Sequence, residues 1–333
     1  MKIAVLMGGR SGEHEVSLRS GRAVIGALLG RGHAVFALTF GRHGGATFGP
    51  VGDGADAETE GSIAASLVAL EAWGPACAFI AMHGEDGEDG KIQGVLELLG
   101  IPYQGSGIQA SAVGLDKVRT KQLLRAAGLP LARERVIDGT APRDWGALVA
   151  ELGLPLVMKT PASGSSVGVE IVPTRDAAEA RGEALLDEAG RVLLEQYVKG
   201  REFTLPVLED PDGTPTALPV VEIRPREAAF FDYAAKYTPG ATDEICPAPI
   251  PPALEAILGD LGLRAHQALG CRGYSRTDCI VTPLGEVALL EVNTLPGLTA
   301  ESLMPRSAAV AGMDFTALVE RLLARALVTH PRI

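Results

Sequence analysis

Ala288-Leu289-Leu290-Glu291-Val292-Asn293-Thr294-Leu295-Pro296-Gly297 is the stretch whose reading decides the fold. It reads as an apolar strand, yet it closes on a carboxylate and an amide. Residues i and i+2 of a strand share a face, so Glu291 and Asn293 project together, beside Leu289. A carboxylate on a buried strand is costly unless something pairs with it. The run just upstream, Gly273-Tyr274-Ser275-Arg276-Thr277-Asp278-Cys279-Ile280-Val281-Thr282-Pro283-Leu284-Gly285-Glu286-Val287, reads as a strand, a turn and the start of the next strand. With Leu284-Gly285 as the turn, Val281 faces Ala288, Ile280 faces Leu289, Asp278 faces Glu291 and Arg276 faces Asn293. Directly opposed carboxylates repel, and Arg276 offsets only part of that. Two readings stay open. Asp278, Glu291 and Asn293 are hard oxygen donors with no His or Cys nearby, which suits Mg²⁺ or Mn²⁺ better than zinc. Otherwise the hairpin end is solvated and holds one Arg–carboxylate pair. A register slip of one residue would send the groups to opposite faces.

The chain of 333 residues is long enough for two or three domains, and its 47% hydrophobic content supports substantial cores. A net charge of -11 argues against a nucleic-acid partner, which needs a basic surface. Cys77, Cys246, Cys271 and Cys279 show no metal-binding spacing and read as free thiols of a reducing compartment. The opening Met1-Lys2-Ile3-Ala4-Val5-Leu6-Met7-Gly8-Gly9 is too short an apolar run for a signal peptide, and no stretch reaches membrane-spanning length. The expectation is a soluble cytoplasmic protein, with no membrane partner and no internal repeat.

Along the chain, a buried strand over 2–7 opens onto Gly8-Gly9-Arg10-Ser11-Gly12, a helix follows over about 17–29, and a strand over 34–40. This order predicts a parallel sheet with crossover helices. Residues 41–61 are Gly-rich and read as loop; a helix over 62–73, a strand over 76–82 and a helix over 91–99 follow. A second unit has a helix over 117–127, strands over 156–159 and 169–172 around a Gly/Ser turn at 163–168, a helix over 175–189 and a strand over 193–197. In the third, residues 209–252 read as long active-site loops, followed by a helix over 252–268, the hairpin and a terminal helix over about 315–327.

Several motifs carry chemistry of varying specificity. Ser163-Gly164-Ser165-Ser166-Val167-Gly168 lets backbone N–H groups approach phosphate, though an ordinary flexible hairpin would look the same. Lys159 at the preceding strand end favours the first reading. His83 ends an apolar strand where open α/β sheets bind ligands, and a satisfied structural histidine is nearly as good a reading. The acidic run from Glu85 to Asp89 reads mainly as a turn capping the next helix. Of Glu13 and Glu15, one could meet a ligand ammonium while the other caps. Phe230-Phe231-Asp232-Tyr233-Ala234-Ala235-Lys236-Tyr237 either anchors its loop or forms a lid over phosphates and substrate.

Together these stretches resemble the D-alanine–D-alanine ligase family of the ATP-grasp superfamily over nearly the whole chain. The motifs are GGRSGEHEVSLRSG at 8–21, HGEDGEDGKIQGVLELLGIPYQGSG at 83–107, LDKVRTK at 115–121, KTPASGSSVGV at 159–169, FFDYAAKY at 230–237, RTD at 276–278 and LLEVNTLPGLTAESL at 289–303. The resemblance implies an α/β, three-domain ATP-grasp architecture with an N-terminal Rossmann-like parallel-sheet domain. The expected divisions are 1–112, a central 113–197 and a C-terminal 198–333 carrying metal site and lid. It implies two Mg²⁺ or Mn²⁺ ions on Asp278, Glu291 and Asn293, and ATP phosphates on Lys117, Lys159 and Lys236, with Ser166 and Leu290 also in the nucleotide site. Glu195 and the backbone of Gln196 and Val198 would meet adenine, Phe230 would pack on it, and Glu202 would bind ribose. Glu13 would hold the first substrate's ammonium in a set with Ser165 and Tyr237, with His83 beside it. Arg276 and the Gly297 N–H would stabilise an oxyanion, and Ser302 and Leu303 would hold the second substrate. The sequence departs from the family pattern at Thr160, where Pro usually follows the strand lysine, at Gln196, where Lys is common, and at Phe231, where Tyr is frequent.

The expected reaction is ligation of two D-alanines through an acyl phosphate, for peptidoglycan precursor synthesis, by an enzyme the resemblance makes a homodimer. Rival readings are a ligase joining D-alanine to D-lactate or D-serine, and a non-catalytic nucleotide-binding protein; the complete set of metal ligands and lysines argues against the latter.

Overall fold

The computed structural model describes residues 1–52, 59–139, 143–162, 169–226, 242–299 and 301–329. Its first strand, β1 (Lys2–Gly8), is buried at every position after Lys2 because β2 (Ala34–Phe40) and β5 (Cys77–Ile80) flank it, both parallel. A central parallel strand is covered on both faces, which is why it reads as one continuous apolar run. Gly8 closes it at φ +83°, where an added Cβ would stand 2.3 Å from the Phe40 carbonyl oxygen. Only glycine can make that exit, and α1 (His14–Gly30) begins directly after it. Between β2 and β5 come β3 (Ala46–Val51), β4 (Thr59–Gly61) and α2 (Ile63–Trp73); α3 (Lys91–Leu98) follows β5. The sheet order is β4-β3-β2-β1-β5. The strands β3 and β4 correct the expectation of loop over 41–61. They pair antiparallel with β2 and with each other, and Gly49 and Pro50 hide the strand because both residues are poor β-formers.

The next elements are α4 (Ile108–Leu115), α5 (Lys117–Ala126), β6 (Glu134–Asp138), α6 (Trp145–Leu152), β7 (Leu156–Lys159), β8 (Glu170–Val172), α7 (Arg175–Ala189) and β9 (Arg191–Gln196). A four-stranded antiparallel sheet results, ordered β6-β9-β7-β8, over a core that includes Trp145, Leu156, Met158 and Leu194. The Gly/Ser turn at 163–168 lies outside the described residues. Asp116 caps α5 by accepting from the N–H groups of Val118 and Arg119, an N-cap chemistry that fixes where Lys117 starts.

The remaining elements are β10 (Arg201–Glu209), β11 (Pro215–Ala217), β12 (Val221–Pro225), β13 (Thr242–Ile245), α8 (Pro252–Leu269), β14 (Tyr274–Val281), β15 (Val287–Asn293), α9 (Leu303–Val310) and α10 (Phe315–Thr329). Their sheet runs β13-β12-β10-β14-β15, with β11 on β10. Three of these strands correct the expectation of long loops over 209–252; Pro215 opens β11 and Pro225 closes β12, strand ends where a missing N–H is tolerated. Chain-terminal α10 does not stay with this sheet. Its Leu318, Val319, Leu322 and Leu323 are in one apolar cluster with Ile3, Val5, Leu28 and Phe79 of the first sheet and α1. No helix among the described residues is long and apolar enough to cross a membrane.

The hairpin of β14 and β15 brings Asp278 opposite Glu291 and Arg276 opposite Asn293, as the sequence predicts. The predicted turn is wrong. Thr282 N–H donates to the Glu286 carbonyl and Gly285 N–H to the Thr282 carbonyl, each at 2.9 Å, so the loop is Pro283-Leu284-Gly285 with Gly285 at φ +82°. A left-handed glycine ending a three-residue loop is a common hairpin closure. Val281 therefore faces Val287, and Cys279 faces Leu289. A β-bulge at Leu290 absorbs the difference and restores the carboxylate pairing.

Glu209 ties this sheet to α8 and α10. Its carboxylate accepts from Arg325 Nε at 2.6 Å and the Gly273 N–H at 2.8 Å, and lies 3.2 Å from His266 Nε2. Burial pushes the carboxyl up, but His266, Arg325 and the Gly273 N–H outweigh it and hold the pKa at about 2. The stability this gives is present above the ordinary value of 4.5 and is lost as pH falls toward about 2. Glu209→Gln should cost about 3 kcal/mol in urea unfolding at neutral pH, and the gap from the native protein should narrow as pH drops below 4.5.

Candidate active site

A cleft of about 790 Å³, counting its open mouth, lies between the β6–β9 sheet and the β10–β15 sheet. Val157 and Ile171 line one wall; Ile280 and Leu290 line the other. The bulge explains a pair that regular alternation forbids: Leu290 and Glu291 are adjacent, yet both line the cleft. Leu289, expected beside Glu291, instead belongs to the core with Cys279.

The opposed carboxylates are partnered separately. Asp278 is 5% exposed. It accepts from the Thr204 hydroxyl at 2.6 Å and from Arg276 Nε and a terminal guanidinium nitrogen at 3.0 and 2.9 Å. Glu291 lies 3.2 Å from the ammonium of Lys117, at the start of α5. Asn293 Oδ1 accepts from the Leu295 N–H at 2.8 Å, which fixes the amide's orientation. No group of three or more His, Cys, Asp or Glu able to hold a metal occurs among the described residues. Two carboxylates on adjacent strands, with an amide beyond, do suit a hard cation that takes its remaining ligands from phosphates and water.

On the other wall, Lys159 contacts Glu195 Oε2, and Lys121 lies 2.5 Å from Glu195 Oε1. Burial works against the Lys159 ammonium, but Glu195, with Glu291 and Glu134 farther off, outweighs it and raises the pKa. Burial likewise pushes Glu195 up, and Lys121 and Lys159 together bring it down to about 2. Gln196 and Val198 border the cleft, as does Glu202 on β10. The Gln196 N–H donates to the Arg133 carbonyl at 2.9 Å, so its own carbonyl is the group left to face a ligand.

A second cluster stands at the C-terminal end of β1 and β5. Glu13 turns inward: its Oε2 is 3.1 Å from where a Cβ on Gly84 would sit, whereas Glu15 turns out and pairs with Arg42 at 3.1 Å. Neither side chain caps α1. His83 is buried, with Nε2 3.2 Å from the Ser20 hydroxyl and Nδ1 3.5 Å from Glu88. Asp89 does serve the start of α3, accepting from the Lys91 N–H at 3.1 Å, but Glu88 departs from the expected capping run by turning to His83. Gly297 brings its backbone between Ser302 Oγ and His83 Cε1. Ser302 begins α9, and Leu303 packs against Val221 and Ile223, leaving its N–H at the helix start. Such N–H groups have no partner within the helix and suit a carboxylate. Ser165, Ser166, Phe230, Lys236 and Tyr237 lie outside the described residues.

Lys121, Glu134, Thr204 and Glu88 escaped the sequence reading. Lys121 had a usable signal: it is four residues after Lys117 on one helix, so both share a face. Thr204 and Glu134 act across strand pairings, which nothing local in the sequence announces.

Two antiparallel sheets closing on a cleft lined by lysines and carboxylates, behind a parallel-sheet unit, make this an ATP-grasp fold. The family descriptions "D-ala D-ala ligase N-terminus" and "D-ala D-ala ligase C-terminus" match residues 2–106 and 123–324. A D-alanine–D-alanine ligase of Desulforudis audaxviator is 44% identical over 322 residues, 96% of this chain and 97% of that one. The ligase of Bacillus anthracis complexed with ATP superposes with a TM-score of 0.79 at 30% identity, covering 99% of this chain and 98% of that one. The D-Ala:D-Ser ligase VanG of Enterococcus faecalis gives 0.80 at 28% identity, over 98% and 99%. The chain belongs to the D-alanine–D-alanine ligase family.

Glu88 sets the charge of His83. Burial works against the imidazolium, and Glu88, with Glu13 and the Leu295 backbone beyond it, outweighs that and holds the pKa above 6.5. In Glu88→Gln, burial is left with less opposition, so the His83 titration followed by NMR should move to lower pH.

Proposed function

We propose that the protein joins two D-alanine molecules into D-alanyl-D-alanine, using ATP, for peptidoglycan precursor synthesis. The observation that carries this is the meeting of Lys117, Lys159, Asp278 and Glu291 in one cleft, together with a second cluster of Glu13, His83, Gly297 and Ser302 in the same fold. Adenine is read against Gln196 and Val198, ribose against Glu202, and the phosphates against Lys117 and Lys159. The lid residues Phe230, Lys236 and Tyr237 and the turn residues Ser165 and Ser166 are assigned to the same site from the family pattern.

Two Mg²⁺ or Mn²⁺ ions are assigned to Asp278, Glu291 and Asn293, where they would neutralise charge as the γ-phosphoryl group moves. Glu13 holds the first D-alanine by its ammonium, with His83 beside it. The carboxylate oxygen attacks the γ-phosphorus, ADP leaves, and an acyl phosphate forms. Ser302 Oγ and the Leu303 N–H hold the second D-alanine by its carboxylate; its amine nitrogen attacks the acyl carbon. Arg276, oriented by Asp278, and the Gly297 N–H receive the charge that develops on the carbonyl oxygen. Collapse expels phosphate and forms the peptide bond. Most of the rate enhancement comes from positioning two anionic substrates that would otherwise repel. Three bodies, 1–112, 113–197 and 198–333, would surround this cleft. We place the enzyme in the cytoplasm, where ATP is, as a homodimer by family pattern.

Phosphate release from ATP and Mg²⁺, with products identified by mass, tests the reading. D-alanine should give D-alanyl-D-alanine and L-alanine nothing. A mixed product whenever D-serine or D-lactate accompanies D-alanine would move the assignment to a ligase of the VanG kind. In the same assay Asp278→Asn should lower kcat/KM by about a hundred-fold or more, while the protein remains folded by circular dichroism.

A further inference from the structure

Behind the cleft wall lies a cation that a ligand in the cleft would not touch. Lys121 is fully buried on α5 and is not among the residues lining the cleft. Its ammonium is 2.5 Å from Glu195 Oε1 and 3.5 Å from Glu134 Oε2. Glu134 is already matched by Arg125 at 2.7 Å, so the charge Lys121 chiefly answers is that of Glu195. The other oxygen of Glu195 contacts Lys159, which does line the cleft. The row is therefore cation, anion, cation, with Lys159 and Glu195 lining the cleft and Lys121 set behind them.

A buried ammonium is costly to take out of water. Its value has to be sought in what it does to its neighbours. Without Glu195, two buried ammonium groups would face each other and repel. With Glu195 but without Lys121, Lys159 and Glu195 would form a closed pair with no net charge. With all three, the row keeps one positive charge, and its outer end is Lys159. We infer that Lys121 is a positioning residue for Lys159: it occupies one side of Glu195 so that Lys159 presents net positive charge to the nucleotide phosphates. This rests on the reading that the cleft takes ATP.

The test compares ADP with adenosine, both with Mg²⁺, binding to the native protein, Lys121→Met, Glu195→Gln and the double variant, by titration calorimetry. Lys121→Met should weaken ADP binding by about ten-fold or more and leave adenosine binding unchanged, because only the phosphates sense the lost charge. Adding Glu195→Gln to Lys121→Met restores one net positive charge and should recover most of the ADP affinity. Equal losses of ADP and adenosine in Lys121→Met, no loss of either, or a double variant that binds ADP no better than Lys121→Met would each overturn the inference while leaving the ATP reading standing. Should Lys121→Met fail to fold, Lys121→Gln is judged in the same way: weaker ADP binding with adenosine unchanged supports the inference, and equal losses of both, or no loss of either, overturn it. A native protein that binds neither ATP nor ADP would overturn both the functional reading and this inference.

Discussion

Asp278 and Glu291 face each other across adjacent strands, and the cleft is organised around keeping both charged in that position. Left alone they would repel. Each is given its own cation from a different part of the chain: Arg276 from the same strand for Asp278, and Lys117 from α5 for Glu291. The second of these links ties the start of α5 to the end of β15, against which that helix packs. Thr204 reinforces the arrangement from β10 with a hydroxyl that only a carboxylate at Asp278 would use as fully. Charge-assisted hydrogen bonds of this kind are shorter and stronger than neutral ones, and they are why a polar cluster can sit at the end of an otherwise apolar hairpin.

The opposite wall solves the same problem with the signs reversed. Two buried lysines are separated by one glutamate, and the glutamate stays ionised because cations stand on both sides of it. Facing walls thus present a row of anions and a row with cationic excess, with apolar side chains between. Such a cleft suits a flat apolar ring bearing a polyanionic tail. Apolar walls beside the charges lower the local dielectric, which strengthens the interactions there.

Much of this was legible in the residues because strand alternation is local. The pairing of Asp278 with Glu291 followed from counting outward from a turn, although the count contained two errors that cancelled. The turn holds three residues rather than two, and Leu290 bulges. Neither feature leaves a strong mark in the sequence: Gly285 fits both turns, and bulges are set by the neighbouring strand. Lys117 and Lys159 were found because they sit at element ends beside recognisable motifs, whereas Lys121 lay inside a quoted motif and was passed over. The missed strands β3, β4, β6 and β10–β13 are short or carry Pro or Gly, and pairing with other strands makes them strands. Glu88 was read with its acidic neighbours because only its burial beside His83 distinguishes it from them.

The return of α10 to the first sheet bears on how the chain is made. On the ribosome, β1 emerges long before α10, yet Leu318, Val319, Leu322 and Leu323 complete its core. The parallel sheet therefore finishes its packing only after the intervening units and α10 have been synthesised, and contacts of such long sequence separation are slow to form. The intervening units can fold first, since their apolar clusters draw on residues within 113–292 or nearer. The nascent N-terminal sheet must wait with an apolar face uncovered, the kind of species on which chaperones act. Because β1 and α10 meet in one core, a break within α10 is felt first at β1, far from it in sequence.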